Sequence, residues 1–163
     1  MNSPISRFKQ LTGTVFGLGA LPGAPGTWGS LAALLPIYLL GVHTAYGVWA
    51  LALLCSVLTL WAAQSCEERW GQDPSNMVID EWAGQALALA PFTFYEALGQ
   101  NLLLLAAGFI LFRLFDILKP LGIAKIQRLA GGPGILLDDL LAGIYVYVTL
   151  QAGIYIARIA GIM

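Results

Sequence analysis

Long apolar runs separated by short polar segments dominate this chain of 163 residues. Five such runs cover residues 28–42, 46–63, 82–94, 102–118 and 136–162. A helix needs about 20 apolar residues to cross a bilayer, and a run of roughly 10 to 14 is more often re-entrant or buried. The pattern therefore predicts an all-α, multi-pass bundle of about five membrane-embedded helices, with the third one short or bent at Pro91.

The composition agrees with a membrane protein. Hydrophobic residues make up 58% of the chain and charged residues 10%, whereas soluble domains carry about 25% charged residues. No linker or low-complexity tract divides the sequence, so we expect one domain over residues 1–163. Residues 1–13 lack the apolar core of a signal peptide. A net charge of −1 without a basic stripe gives no reason to expect nucleic acid, and we predict no protein partner.

The basic residues predict how the bundle is oriented. With the N-terminus inside and five crossings, seven of the eight Lys and Arg residues fall on the inner side: Arg7, Lys9, Arg69, Arg113, Lys119, Lys125 and Arg128. The outer turns near His43 and Glu96 carry none, which is the positive-inside pattern. The polar motifs would then share the cytoplasmic face. The third run could instead be the first limb of a re-entrant hairpin that leaves the fourth run on the same side.

Acidic residues are few, and most stand at the edges of apolar runs. Five of the nine form three groups, Asp80–Glu81, Asp116 and Asp138–Asp139. A carboxylate in such a place is unfavourable unless it is paired, bound to a metal or hydrated. Hard cations such as Mg²⁺ prefer carboxylate oxygen, so we predict a metal-binding polar centre at one end of the bundle. As an alternative, Asp80 and Glu81 could only complement the N-terminus of a helix.

Two further motifs place cations and hydroxyl groups beside this centre. Arg113, Asp116 and Lys119 recur every three residues and share one helix face, either as an ion-pair ladder or for phosphate recognition. A Gly- and Pro-rich segment opens the first run, with Thr27 or Ser30 as a natural N-cap. Free N–H groups at such a helix start bind anions, although a capped helix entering a membrane is the simpler interpretation.

The four motifs, in this order, resemble those of the phosphatidylglycerophosphatase A family. Within residues 16–143 they read Pro-Gly-Thr27-x-Gly-Ser30, Asp80-Glu81-x-x-Gly84, Phe-Arg113-x-x-Asp116-x-x-Lys119-Pro120 and Gly-Gly-x-Gly134-Ile-x-x-Asp138-Asp139-x-x-Ala-Gly143. One departure is Leu121-Gly122-Ile123, because the family typically has a second proline after Lys119-Pro120. The departure loosens this loop without removing any chemical group.

The resemblance implies a Mg²⁺-dependent enzyme of the bacterial inner membrane, with its active site at the cytoplasmic helix ends. Its substrate would be phosphatidylglycerophosphate, dephosphorylated to phosphatidylglycerol in phospholipid biosynthesis. The implied ligands of one or two Mg²⁺ ions are Asp80, Glu81, Asp116, Asp138 and Asp139. The implied catalytic residues are Lys119, Arg113, Asp116 and Asp139, and the implied phosphate-binding residues are Thr27, Ser30, Lys119 and Arg113.

Two questions stay open at this point. Either a metal-activated water or a carboxylate could be the nucleophile, and the sequence does not say which carboxylate is the base. The alternative function is a cation-binding or transport protein without chemistry. Transport predicts acidic groups near the bilayer midplane with pathways to both faces, whereas here they stand at one edge of the apolar runs.

Overall fold

The computed structural model describes residues 3–44, 46–94 and 98–161, and within them the secondary structure is entirely helical. Ala45, Glu96 and Ile162, which bounded predicted turns or runs, lie outside the described residues. The helices are α1 (Pro4–Gly13), α2 (Pro25–His43), α3 (Gly47–Trp70), α4 (Ile79–Leu89), α5 (Leu98–Leu118), α6 (Ile123–Ile126) and α7 (Gly132–Ile159), with a 3₁₀ turn at Leu18–Ala20.

Four helices of the described part of the chain are long and apolar enough to span a membrane, namely α2, α3, α5 and α7. They correspond to the first, second, fourth and fifth predicted runs. The prediction of an all-α, multi-pass bundle is therefore confirmed. The third run forms α4, which has 11 residues and is about 16 Å long at about 1.5 Å per residue.

Helix α4 ends at Leu89, two residues before Pro91, so the chain breaks there instead of bending within a helix. Ala90 still has helical dihedral angles, but Pro91 has no N–H with which to continue the helical hydrogen bonds, which explains the position of the break. Beyond it, the ring of Phe94 lies against Gly41 near the far end of α2. The third segment thus reaches both ends of the bundle, although its helix is too short to do so.

Helix α4 is also the centre of the bundle. Nine of its 11 residues are buried, and it packs against α2, α3, α5 and α7. Its crossing with α7 is very close, because a Cβ atom at Gly84 would overlap the carbonyl oxygen of Asp139. A Cβ atom at Gly143 would likewise overlap the carbonyl oxygen of Gly84. These two motif glycines therefore allow the two acid-bearing helices to touch.

The sequence did not predict α1 and α6, which are short and lack a long apolar run. Helix α1 packs on α3, where Gln10 donates to the carbonyl of Ser65 at 3.0 Å and accepts from Arg69 at 2.7 Å. Helix α6 is a single turn in the connection between α5 and α7. Both lie at the end of the bundle that carries the acidic motifs.

The start of α2 differs from the prediction. The helix begins at Pro25, after Ala24 at the N-cap, so neither Thr27 nor Ser30 caps it and the predicted N-cap is wrong. Proline suits the first helical turn because its φ is preset and its missing N–H would have no partner there. Helix α7 also begins with a proline in its first turn. Asp138 and Asp139 lie nearly two turns inside this helix.

Candidate active site

Charged side chains from three helices and two loops meet in one cavity of about 300 Å³. The cavity lies where α2, α4 and α7 begin and α5 ends. Its charged lining residues are Asp73, Asp80, Glu81, Arg113, Asp116, Lys119, Asp138 and Asp139. All five carboxylates and both cations predicted from the sequence are among them. The predicted convergence is therefore present, while the role of each residue stays a prediction.

A larger cavity, of about 530 Å³, lies at the opposite end of the bundle beside the α2–α3 turn and Phe94. Among the described residues, its lining contains no Asp, Glu, Lys or Arg, and His43 is its one ionisable side chain. Phosphate recognition depends on cationic groups or metals. Of these two cavities, the charged one is the candidate active site.

Glu81 is held in place by α2 and α5. Its Oε2 accepts a hydrogen bond from the Ser30 hydroxyl at 2.5 Å and pairs with Nη1 of Arg113 at 3.1 Å. The same Arg113 nitrogen donates to Ser30 at 3.3 Å. A side chain at Gly26 would overlap Glu81, which explains why α2 carries a glycine where it approaches this group. The result is a three-helix hydrogen-bond network along one wall of the cavity.

The predicted ion-pair ladder exists and extends beyond its own helix. Arg113 Nη1 lies 2.8 Å from Asp116 Oδ2, and Lys119 Nζ lies 3.8 Å from Asp116 Oδ1. Lys119 Nζ also donates to Oδ2 of Asp138 on α7 at 2.5 Å. Together with the Arg113–Glu81 pair, these contacts join α4, α5 and α7. The residues of the ion-pair ladder are therefore also residues of the predicted site.

Lys119 lies in a strained turn just after α5. Its φ is +45°, and Leu121 and Gly122 follow with φ of +51° and +97°. Positive φ is uncommon outside glycine, and such strain clusters at functional sites. Burial lowers the pKa of the Lys119 ammonium, but the hydrogen bond and charge of Asp138 raise it more, so the pKa lies above its ordinary value. Lys119 is thus a permanent cation in the cavity.

Asp80 and Asp139 are the buried carboxylates of the cavity that no described basic residue neutralises. They are 7% and 3% exposed, and neither forms a salt bridge with any residue that the structure describes. Oδ1 of Asp80 is buried without a hydrogen-bond partner. A buried carboxylate oxygen in that state is strongly destabilising unless a cation compensates it. The donor type and the missing partner both suit a hard divalent cation.

The carboxylates are nevertheless spread around the cavity wall. Within residues 3–44, 46–94 and 98–161, no three His, Cys, Asp or Glu side chains lie close enough together to enclose a metal ion. Magnesium usually keeps several waters and binds through one or two carboxylates plus substrate phosphate, so it does not require such a cage. The residues present therefore fit Mg²⁺ in chemistry, with Asp80 and Asp139 as the natural first ligands.

Two predicted phosphate ligands, Thr27 and Ser30, are not among the residues that line the cavity. Ser30 is 0% exposed, and its hydroxyl is engaged with Glu81 and Arg113, which gives it a positioning role. Asp73 and Gln127, which the sequence did not predict as site residues, line the cavity and are hydrogen-bonded to each other. They stand in polar loops outside the four motifs. The only signal was a carboxylate in the turn that leads to Asp80.

Comparisons with known proteins agree with these observations. The sequence model described as phosphatidylglycerophosphatase A matches residues 11–154 of this chain. A Bacteroides thetaiotaomicron protein named "Putative phosphatidylinositol-3-phosphatase" is 40% identical over 146 residues, covering 86% of this chain and 89% of the relative. Phosphatidylglycerophosphatase A of Haemophilus influenzae is 35% identical, with 93% and 94% covered. That of Escherichia coli is 33% identical, with 79% and 73% covered. No solved structure matches the chain.

Proposed function

This chain belongs to the phosphatidylglycerophosphatase A family and is a phosphatase, and on that premise we propose that it dephosphorylates phosphatidylglycerophosphate in a Mg²⁺-dependent reaction. The products are phosphatidylglycerol and inorganic phosphate. Two relatives that share 35% and 33% of their aligned residues with this chain carry the name of that activity. The reaction would take place in the charged cavity at the end of the bundle.

The observation that carries the proposal is the charge balance of this cavity. Six carboxylates and two cations line it, which leaves four unmatched negative charges when all of them are ionised. An anionic phosphate would be repelled from such a cavity. Divalent cations would reverse this, because two Mg²⁺ ions would neutralise the excess and attract phosphate oxygen.

Asp80 and Asp139 are the proposed first metal ligands, since both are buried and neither is paired with a basic residue in the described part of the chain. Glu81, Asp116 and Asp138 complete the proposed set, as the family resemblance implies. When bound, Mg²⁺ would neutralise phosphate charge and activate water for attack on phosphorus. Asp138 and Asp116 also hold Lys119, so ion binding and cation position would be linked.

The cations are proposed to act on the phosphoryl group. Arg113 and Lys119 would stabilise the negative charge that develops during transfer, because both are positioned by carboxylates before substrate arrives. A carboxylate then takes the proton of the attacking water, or it attacks phosphorus itself and is released by water. In both routes the bond from phosphorus to the glycerol oxygen breaks, and water supplies the new oxygen of inorganic phosphate.

The position of the cavity suits a lipid phosphomonoester. The acyl chains of such a substrate stay in the bilayer while its phosphate reaches just beyond the hydrocarbon. The charged cavity lies at the ends of the spanning helices α2, α5 and α7. Seven of eight basic residues fall on the same side in the predicted topology, which supports a cytoplasmic site in a bacterial inner membrane.

The name of the Bacteroides relative brings in a second substrate, phosphatidylinositol-3-phosphate. Both lipids present a phosphomonoester on a hydroxylated headgroup, so the same cavity chemistry would serve either. The proposal favours phosphatidylglycerophosphate because two relatives and the family description carry that activity. A transport protein is disfavoured because the acidic groups face one cavity at one end of the bundle.

The test is phosphate release by the purified protein in mixed micelles. We expect phosphate from phosphatidylglycerophosphate with Mg²⁺, little from phosphatidylinositol-3-phosphate, and none from either lipid after EDTA treatment until Mg²⁺ is restored. Preference for the inositol lipid would overturn the proposed substrate. Full turnover in EDTA would overturn the metal, and no release from either lipid would overturn both.

A further inference from the structure

We propose that Asp73 and Gln127 bind a hydroxyl group of the substrate headgroup and so help to determine which phosphomonoester is hydrolysed. The inference rests on the proposed function, because it names the part of the phospholipid headgroup that the cavity recognises besides its phosphate. Neither residue belongs to the four sequence motifs, and neither is needed for the phosphoryl chemistry described above.

The two residues form the rim of the cavity. Asp73 is exposed in the loop between α3 and α4, and Gln127 is half-buried immediately after α6. Both line the cavity, and Nε2 of Gln127 donates a hydrogen bond to Oδ2 of Asp73. The acidic residues of α4 and α7, by contrast, are buried. The cavity therefore has an ionic floor and a polar rim.

The rim differs from the floor in its chemistry. Arg113 and Lys119 pair with carboxylates of the floor, whereas Asp73 forms no salt bridge with any described residue. An unpaired carboxylate repels phosphate, so the rim does not suit the terminal phosphate. The Gln127–Asp73 hydrogen bond leaves one carboxylate oxygen and the amide oxygen as acceptors. Such a pair suits a neutral hydrogen-bond donor, and a hydroxyl group is one.

The headgroup of the proposed substrate carries such a hydroxyl. Its glycerol unit bears a hydroxyl on the carbon next to the one that carries the terminal phosphate. With this phosphate among the cations and carboxylates of the floor, the rest of the headgroup extends past the rim. The hydroxyl is then the first polar group beyond the reacting phosphate.

The loop that carries Asp73 has a defined turn there. The φ of Asp73 is +48°, in the left-handed region, which Asp adopts more readily than most residues other than glycine. The next residue, Pro74, is buried and anchors the loop below the rim.

The experiment compares two substrates that differ by one hydroxyl group. One is phosphatidylglycerophosphate, and the other is its synthetic analogue with 1,3-propanediol phosphate in place of glycerol phosphate. The wild-type protein should show a kcat/KM about tenfold to a hundredfold higher for the hydroxylated lipid, which is the range for a hydrogen bond to a charged group. Asp73→Ala and Gln127→Ala should lose most of this preference, while kcat/KM for the analogue stays within about twofold of wild type.

A matched control is available on α3. Gln64 donates to Glu68 at 3.0 Å in another exposed glutamine–carboxylate pair, which does not line the cavity. Gln64→Ala should leave the preference unchanged. If the rim pair only holds the two loops together, Asp73→Ala and Gln127→Ala should lower kcat/KM for both lipids equally. If the rim binds metal, these variants should need a higher Mg²⁺ concentration for half-maximal rate. Either result, or a wild-type protein without preference, would overturn the inference while leaving the proposed phosphatase reaction intact. Hydrolysis of neither lipid by wild type would instead overturn the proposed function.

Discussion

At the scale of single residues, the five carboxylates of the sequence motifs fall into two sets. Glu81, Asp116 and Asp138 are neutralised by Arg113 or Lys119 at 2.5 to 3.8 Å. The other set, Asp80 and Asp139, is buried without such a partner in the described residues. The first set positions the cations that would meet phosphate, and the second provides the unsatisfied oxygens that would attract a metal ion. Two predictions separate these roles.

Lys119→Ala should lower turnover by about 10² to 10³, the usual scale for the loss of one preorganised donor at a transferring group. The variant also leaves Asp138 without its 2.5 Å partner, so its thermal stability must be measured alongside its rate. Lys125→Ala, an exposed lysine in the same connection, is the control and should keep wild-type turnover. Equal rates for Lys119→Ala and wild type would show that the ladder is only structural.

Asp80→Asn and Asp139→Asn should abolish turnover and also remove the stabilisation of the fold by Mg²⁺. Ligand at about 100 times its Kd stabilises a protein by about 2.7 kcal/mol, which is readily seen in a thermal shift. Without Mg²⁺, both variants should be at least as stable as wild type, since each replaces an uncompensated buried charge with a neutral amide. A Mg²⁺ shift that persists in both variants would place the ion elsewhere.

At the scale of the elements, the site depends on the crossing of α4 and α7. The motif glycines Gly84 and Gly143 meet there, each leaving no room for a Cβ atom against the opposite backbone. These helices carry the acidic pairs at the cavity floor, so the distance between the helices determines how closely the pairs approach. This contact explains why the motifs carry glycine at positions 84 and 143.

Gly143→Ala should therefore lower the free energy of unfolding by about 1 to 3 kcal/mol, the usual range for overpacking, and reduce turnover as the acidic pairs separate. Gly153→Ala, in the same helix, is the control because a Cβ atom there meets nothing within 4 Å. It should leave both unfolding in detergent and phosphate release unchanged. Similar behaviour of the two variants would contradict the close helix contact.

The loop after α5 shows how a local sequence difference is accommodated. Gly122 has a φ of +97°, which proline cannot adopt because its ring holds φ near about −65°. The family's second proline would stand at this position, so the loop here takes a conformation that the family pattern would exclude. Whether the loop is looser than in the family stays a prediction. Lys119 still reaches Asp138 from within it.

At the scale of the whole molecule, the two ends of the bundle differ in charge. The cavity with six carboxylates lies at one end, the charged end, and among the described residues that line the cavities at the other end Arg158 is the one charged side chain. The fourth prediction concerns which end faces the cytoplasm. The distribution of basic residues predicts that the charged end lies inside.

Single cysteines placed at Gln72 and at Gly99 test this orientation in a background that lacks Cys55 and Cys66. Gln72 is exposed in the α3–α4 loop at the charged end, and Gly99 is exposed at the start of α5. In intact cells a membrane-impermeant thiol reagent should label position 99 and leave position 72 unlabelled. After permeabilisation both should react. The reverse pattern in intact cells would put the active site on the wrong side for a cytoplasmic substrate.

Apolar runs predicted the four spanning helices because a segment of about 20 apolar residues has few stable alternatives to a membrane helix. They located α2, α3, α5 and α7 but missed α1 and α6, whose short polar sequences lack that signal. The predicted N-cap of α2 was also wrong, since both hydroxyl residues and proline are favoured at the start of a helix. Local propensity alone does not decide between them.

The sequence by itself determined which residues form the ionic centre, because a charge at the edge of an apolar run is unfavourable without a partner, wherever the chain folds. It could not show which partner each charge finds. The tertiary structure decided that Arg113 neutralises Glu81, that Asp80 stays uncompensated, and that Asp73 and Gln127 join the cavity from distant loops. Such pairings depend on how closely helices cross and on where loops return. Those distances follow from side-chain packing among residues far apart in the chain, which no local pattern records.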